Sequence, residues 1–302
     1  MSLDAVPSGA SIAVLRRPVA AAFAACRPLQ WTKNLLVFAG ILFSANLDDG
    51  RRVVAAFACF AGYCAASSAA YLVNDVRDRD SDALHPVKRQ RAVAAGELAP
   101  AAALALAGML LVSAALLAAG IGRGSLVLLA GFVALQAAYT LSLKQVVVLD
   151  VLAIAGLFVV RAAAGAVAVD VPISTWLLLC TGLLASFLAL GKRRAELLLV
   201  EAEATRGRRV LERYSRAGLD LALAGVAALT IAVYTVYTLV GRDSPALLVT
   251  VPLVVFGIGR YVFLLRARRG GEEPDQVLLR DRPILWTICL WAAVCAAVPA
   301  VE

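Results

Sequence analysis

The chain has 302 residues, 62% of them hydrophobic and only 17% charged, with a formal charge of +8 and a mean hydropathy of +0.84. Soluble domains carry about 45–50% apolar and about 25% charged residues, and here the apolar excess comes in long blocks, which excludes soluble globular, disordered and disulfide-scaffold classes. No sustained period-two pattern marks an outer-membrane barrel, and six cysteines without a CxxC pair beside a lone His85 exclude an ordinary zinc site.

Near the start of the chain Arg16-Arg17 stands ahead of a short apolar run from Pro18 to Cys26. Secretory and lipoprotein signals share this pattern. An interfacial helix with Val19, Phe23 and Cys26 or Leu29 on its lipid face fits it as well, and the segment that follows favours the helix. The expected organisation is a cytoplasmic N-terminal segment over 1–33 and a nine-helix transmembrane catalytic domain over 34–302. The nine apolar spans lie near 34–47, 53–73, 99–120, 125–143, 150–168, 174–190, 217–240, 246–265 and 284–300. A bilayer core of about 30 Å takes about 20 helical residues, so the first span is short unless the stretch from Arg27 extends it.

The second span ends in Asn74-Asp75-Val76-Arg77-Asp78-Arg79-Asp80-Ser81-Asp82. If the helix continues, Asn74, Asp78 and Asp82 line one face with Asp75 beside them, while Asp80 points away. Stacked carboxylates repel, and a divalent cation removes the repulsion. Magnesium suits such hard oxygens and binds through one or two carboxylates together with substrate phosphates. The bland alternative is a solvated acidic helix end neutralised by Arg77 and Arg79.

Further on, Arg161 interrupts the fifth span, where a charge is costly and needs a wet cavity or a partner. The loop expected after the sixth span carries Lys192, Arg193 and Arg194, then a run through Arg206, Arg208, Arg209, Arg213 and Arg216 that reads as a lipid-surface patch. With the N-terminus inside, the basic residues gather on the cytoplasmic side, leaving Arg51, Arg52, Arg123 and Arg242 outside. The positive-inside rule then orients the chain with its C-terminus outside, in the plasma membrane, and no nucleic-acid partner is expected.

The NDxxDxxxD pattern after a second transmembrane helix resembles the first aspartate-rich motif of the UbiA-type prenyltransferase superfamily. Span count, orientation, a Tyr139…Lys144 pair after the fourth span and a long loop after the sixth extend the resemblance over nearly the whole chain. It implies an all-α membrane fold of nine helices around a central cavity open to the cytoplasm. Ordinary members carry a second aspartate-rich motif after the sixth span. This chain has Gly191-Lys192-Arg193-Arg194-Ala195-Glu196 there, and Arg27-Pro28-Leu29-Gln30-Trp31-Thr32-Lys33-Asn34 before its first span. Both segments are similar to the branch that transfers 5-phosphoribose from phosphoribosyl diphosphate (PRPP) to a polyprenyl, in particular decaprenyl, phosphate in arabinan synthesis.

That resemblance implies a magnesium ion held by Asn74, Asp75, Asp78 and Asp82, with Asp78, Asp82, Lys33, Tyr139 and Lys144 at the chemical step. Lys33, Asn34, Asn74, Lys88, Arg91, Lys144, Arg161, Lys192, Arg193, Arg194 and Glu196 would contact the substrates. Each basic residue in the loops also satisfies the positive-inside bias, Arg161 is equally a structural hydrogen-bond donor or a snorkelling cation, Tyr139 is an acceptable interfacial aromatic, and Glu196 is equally an i,i+3 partner of Arg193. PRPP, polyprenyl phosphate and membrane lipids are the expected partners, with homo-oligomers left open. Two rivals stand beside this reading. An aromatic prenyltransferase would need carboxylates after the sixth span, where Glu196, Glu201 and Glu203 are the only stand-ins. A transporter would favour internal repeats and midplane broken helices.

Overall fold

The computed structural model describes residues 19–43, 48–85, 87–203, 213–240, 245–267, 277 and 280–301. The Arg16-Arg17 pair and Arg206, Arg208 and Arg209 lie outside them. Among the described residues every regular element is helical. A helix over 19–25 leads to a 3₁₀ helix, Pro28–Phe38, and then to α1, Ala39–Phe43. The longer helices are α2 (Gly50–Arg77), α3 (Pro100–Ile121), α4 (Arg123–Leu141), α5 (Leu149–Ala168), α6 (Thr175–Glu203), α7 (Arg216–Val240), α8 (Val251–Ala267) and α9 (Arg282–Val301). Among the described residues seven helical segments, six within α2 to α7 and a seventh, Ala246–Ala267, that ends in α8, are long and apolar enough to cross a membrane, and Arg282–Ala297 is apolar but shorter. This is an integral membrane protein.

Three elements differ from the sequence expectation. The first span is a 3₁₀ helix rather than an α-helix, because side chains three apart must reach one neighbour: Trp31 Nε1 donates to Ser68 Oγ at 3.0 Å and Asn34 Nδ2 to Cys64 Sγ at 3.2 Å. The acidic helix breaks at Asp78 (φ −93°, ψ 9°), after which Arg79–Ala83 forms one further turn. The bonds Asp78 N→Asn74 O (2.9 Å) and Asp82 N→Asp78 O (2.8 Å) still keep the i→i−4 pattern across the break. The Lys192–Glu196 segment lies on α6 and not in a loop. Ala195, Glu196, Leu197 and Leu198 are strong helix formers, and an i,i+3 ion pair from Arg193 to Glu196 supports the extension.

The described chain divides into two compact units. One comprises the described residues up to Asn34 together with Ala61–Gly120. Its core joins Ala21, Ala25 and Cys26 to Leu72, Val93, Leu98, Ala103 and Ala107, so small side chains let helices approach closely.

The other comprises Leu35–Phe60 and the described residues from Ile121 onward. Within it α5 is the most buried span, packed between α4 and α6, and α6 packs on α7. Two glycines set the contact between the first span and α5. A Cβ on Gly165 would lie 1.9 Å from the Val37 carbonyl oxygen, and one on Gly40 would lie 2.8 Å from Ala166 Cα. A second core gathers Phe187, Leu190, Leu219, Leu223, Ile258, Tyr261 and Ile284.

Candidate functional site

In the first unit the carboxylates at the end of α2 are held by two arginines. Asp75 and Asp82 are buried, while Asn74 and Asp78 are half-buried and Asp80 is exposed. Arg27 Nη2 donates to Asp75 Oδ1 at 2.5 Å, and its guanidinium lies 4.7 Å from the Tyr71 ring centroid. Arg91 Nη1 donates to Asp82 Oδ2 at 2.6 Å and stands 3.4 Å from Asp75 Oδ1. Arg27 has a left-handed φ of 52° at the turn between the 19–25 helix and the 3₁₀ helix. That turn is tied down by Trp31 on Ser68 and by Ser68 Oγ donating to the Cys26 carbonyl at 2.9 Å. Asn34 is fully buried on Cys64 and anchors the segment carrying the half-buried Lys33; Lys88 is half-buried too.

The donor chemistry of Asn74, Asp75, Asp78 and Asp82 fits magnesium. Asp75 and Asp82 already share one positive group, and the Asn74 and Asp78 side chains have no hydrogen-bond or ion-pair partner among the described residues. No three His, Cys, Asp or Glu side chains among the described residues converge into a cage.

In the second unit the charges converge on Arg193, which is wholly buried. Its Nε lies 2.7 Å from Asp150 Oδ2, its Nη1 donates to Glu196, and its Nη2 donates to Tyr139 Oη at 3.2 Å. The Asp150 contact is an ion pair by proximity, without an aligned N–H. Asp150, also wholly buried, accepts from Tyr214 Oη at 2.7 Å and from Val151 N at 2.9 Å in the first turn of α5, where the helix dipole favours an anion. Burial and the Asp150 carboxylate push the Tyr214 phenol up to about 12, so it stays a donor. Arg194 turns elsewhere: Nε donates to Asp220 at 2.5 Å and Nη1 to the Leu265 carbonyl at 3.2 Å. Arg161, buried, donates to the Leu157 carbonyl at 2.9 Å and faces Phe132 and Phe158 at 4.5 and 5.4 Å. Lys144 and Lys192 are half-buried.

The structure thus brings Asp75, Asp82 and Arg91 together in one unit and Tyr139, Arg193 and Glu196 in the other, and directs Arg194 and Arg161 to partners of their own. Sequence reasoning passed over Asp150, Tyr214 and Asp220. The one available signal was a carboxylate at the mouth of an apolar run, which needs a counter-charge.

The sequence profile described as the UbiA prenyltransferase family matches residues 34–288. Decaprenyl-phosphate phosphoribosyltransferase from Mycolicibacterium smegmatis is 33% identical over 291 residues, covering 90% of each chain. The protein of that name from Corynebacterium glutamicum is 33% identical over 288 residues, covering 89% of this chain and 85% of its own. Among solved structures, a UbiA homologue from Archaeoglobus fulgidus bound to GPP and Mg2+ superposes with a TM-score of 0.72 over 92% of this chain and 99% of its own, at 19% identity. With the profile spanning most of the sequence and the fold in agreement, the chain belongs to the UbiA prenyltransferase family.

Proposed function

We propose that the chain is a magnesium-dependent membrane phosphoribosyltransferase. It moves 5-phosphoribose from PRPP to decaprenyl phosphate, or a closely similar polyprenyl phosphate, for cell-wall arabinan precursors. The observation that carries this reading is the Lys192–Glu196 turn of α6. Three cations stand where a family prenyltransferase is expected to present carboxylates, and the acidic residue there, Glu196, is bound to Arg193. The two 33%-identical relatives of that name support the same choice.

Asn74, Asp75, Asp78 and Asp82 would hold magnesium, which neutralises charge on the departing diphosphate. Lys33, Lys88 and Arg91, with Asn34 fixing the first of them, favour the donor phosphates. Lys144 and Lys192 favour the lipid and ribose phosphates, while Arg161, Arg193 with Tyr139, and Arg194 shape the helices that carry them. The attacking group is a phosphate oxygen of the lipid, already ionised at neutral pH, so no general base is needed. Its bond to ribose C1 forms as the bond from C1 to diphosphate breaks, no proton moves, and the α donor gives a β product. Catalysis is then positioning and charge stabilisation. The basic-residue bias supports nine crossings, with the N-terminus and the reacting groups on the cytoplasmic side of the plasma membrane and the C-terminus outside.

The test is incubation of the purified chain with ribose-labelled PRPP, polyprenyl phosphate and magnesium, followed by lipid extraction. Label in the lipid that requires both substrates is the expected result. An unlabelled lipid, with transfer instead from a prenyl diphosphate to an aromatic acid, would overturn the reading and leave the family intact.

A further inference from the structure

We infer that Arg193 acts as a clamp on the connection between α4 and α5, with Asp150 and Tyr214 as its anchors, and that these three residues position Lys144 for the reaction; this rests on the transferase reading above. The fork of Arg193 reaches both ends of a single connection. Nη2 donates to Tyr139 in the last turn of α4, and Nε lies against Asp150 in the first turn of α5. Tyr214 adds a third tie, donating to Asp150 Oδ1 at 2.7 Å while accepting the Val148 N–H at 3.0 Å.

Val148 is where a tie is needed. Its φ of 71° and ψ of −46° lie in the rare, strained γ-turn region, and for a β-branched residue this conformation persists only when its surroundings fix it. Between the tied ends runs the 3₁₀ turn Leu143–Gln145, which carries Lys144. Lys144 has no hydrogen-bond or ion-pair partner among the described residues. The tied connection thus carries a half-buried lysine charge.

The same geometry separates Arg193 from a phosphate ligand. Nη1 and Nη2 donate to Glu196 and Tyr139, Nε stands 2.7 Å from Asp150 as an ion pair by proximity, and the side chain is fully buried. A planar fork holds three groups at fixed angles, which the single ammonium of a lysine does not. Arg193→Lys therefore keeps the charge and loses the clamp.

The experiment combines amide hydrogen exchange with label transfer on the full chain in lipid nanodiscs. Arg193→Lys and Tyr214→Phe should speed exchange over residues 142–150 by roughly tenfold or more, and leave α8 as protected as before. Arg193→Lys should lower turnover on the order of 10- to 100-fold, with little further loss in a Lys144→Ala background. Unchanged exchange over 142–150 would overturn the clamp, as would additive losses for Arg193→Lys and Lys144→Ala. Should Arg193→Lys not fold, Tyr214→Phe removes a single hydroxyl and reads the same segment. Failure of the unsubstituted chain to label lipid would remove the transferase reading, and exchange would still decide the clamp.

Discussion

Arg91 places one guanidinium nitrogen 2.6 Å from Asp82 and 3.4 Å from Asp75, so two buried carboxylates share its positive charge. A divalent cation bound by the same oxygens competes with it. Arg91→Gln leaves Asp75 with Arg27 alone and Asp82 without a cation, which should cost about 1–3 kcal/mol of stability. Magnesium should then raise the thermal midpoint of Arg91→Gln more than that of the unsubstituted chain, by mass action on the folded state. Equal magnesium shifts in the two proteins would show that arginine and metal use different oxygens.

Asp78 stands at the kink between α2 and the following turn, half-buried and with no side-chain partner among the described residues. Nothing in the fold depends on its carboxylate, so Asp78→Ala should melt within a degree or two of the parent. It should nonetheless lose magnesium-dependent protection by PRPP and turn over at least about 100-fold more slowly. The exposed Asp80 faces away, and Asp80→Ala should be markedly milder. Near-normal turnover of a folded Asp78→Ala protein would remove this residue from the metal site.

The span pattern and the acidic motif were legible because each breaks a strong physical rule. Long apolar blocks admit few alternatives to membrane helices, and aspartates at a span end demand a counter-charge. Asp150 obeys the second rule just as well, but its cation is on another helix and no periodicity links them. The 3₁₀ form of Pro28–Phe38 was hidden for a related reason. Propensity does not separate it from α-helix, and its cause is the contact of Trp31 and Asn34 with α2. The pairing of Arg193 was hidden too, because a run of cations carries no mark of the carboxylates that fold onto it.

Gly165 tests the packing directly. Its missing side chain admits the Val37 carbonyl, and a Cβ there would stand 1.9 Å from that oxygen. Gly165→Ala must therefore displace backbone and not a flexible side chain. It should cost about 3 kcal/mol or more, above the usual overpacking range of about 1–3 kcal/mol. At Gly131 a Cβ would meet nothing within 4 Å, so alanine should be tolerated there, and its higher helix propensity should make the change neutral or stabilising. Thermal unfolding of the two variants in detergent gives the comparison, and equal midpoints would remove the close contact at Val37.

Lys192 and Arg194 are near neighbours in sequence with opposite expected phenotypes. Arg194 is buried and spans α6 to Asp220 on α7 and to the Leu265 carbonyl on α8, so its charge is taken up inside the helical packing. Removing it leaves a half-exposed Asp220 without its ion pair and takes a donor from the Leu265 carbonyl, a loss of about 1–3 kcal/mol in stability, with the KM for PRPP unchanged in the folded fraction. Lys192 is half-buried on a different face of the same turn, and a lysine there suits a phosphate as a compact point charge. A charge-assisted contact to phosphate is worth about 1.5–3 kcal/mol net. Lys192→Ala should therefore raise the KM for one phosphorylated substrate on the order of 10- to 100-fold while the thermal midpoint stays near that of the parent. Measuring midpoint and KM on both variants separates the roles. A stable Arg194→Ala protein with a raised KM, beside a Lys192→Ala protein with a normal one, would exchange the two assignments and place the phosphate on the Asp220 side of α6.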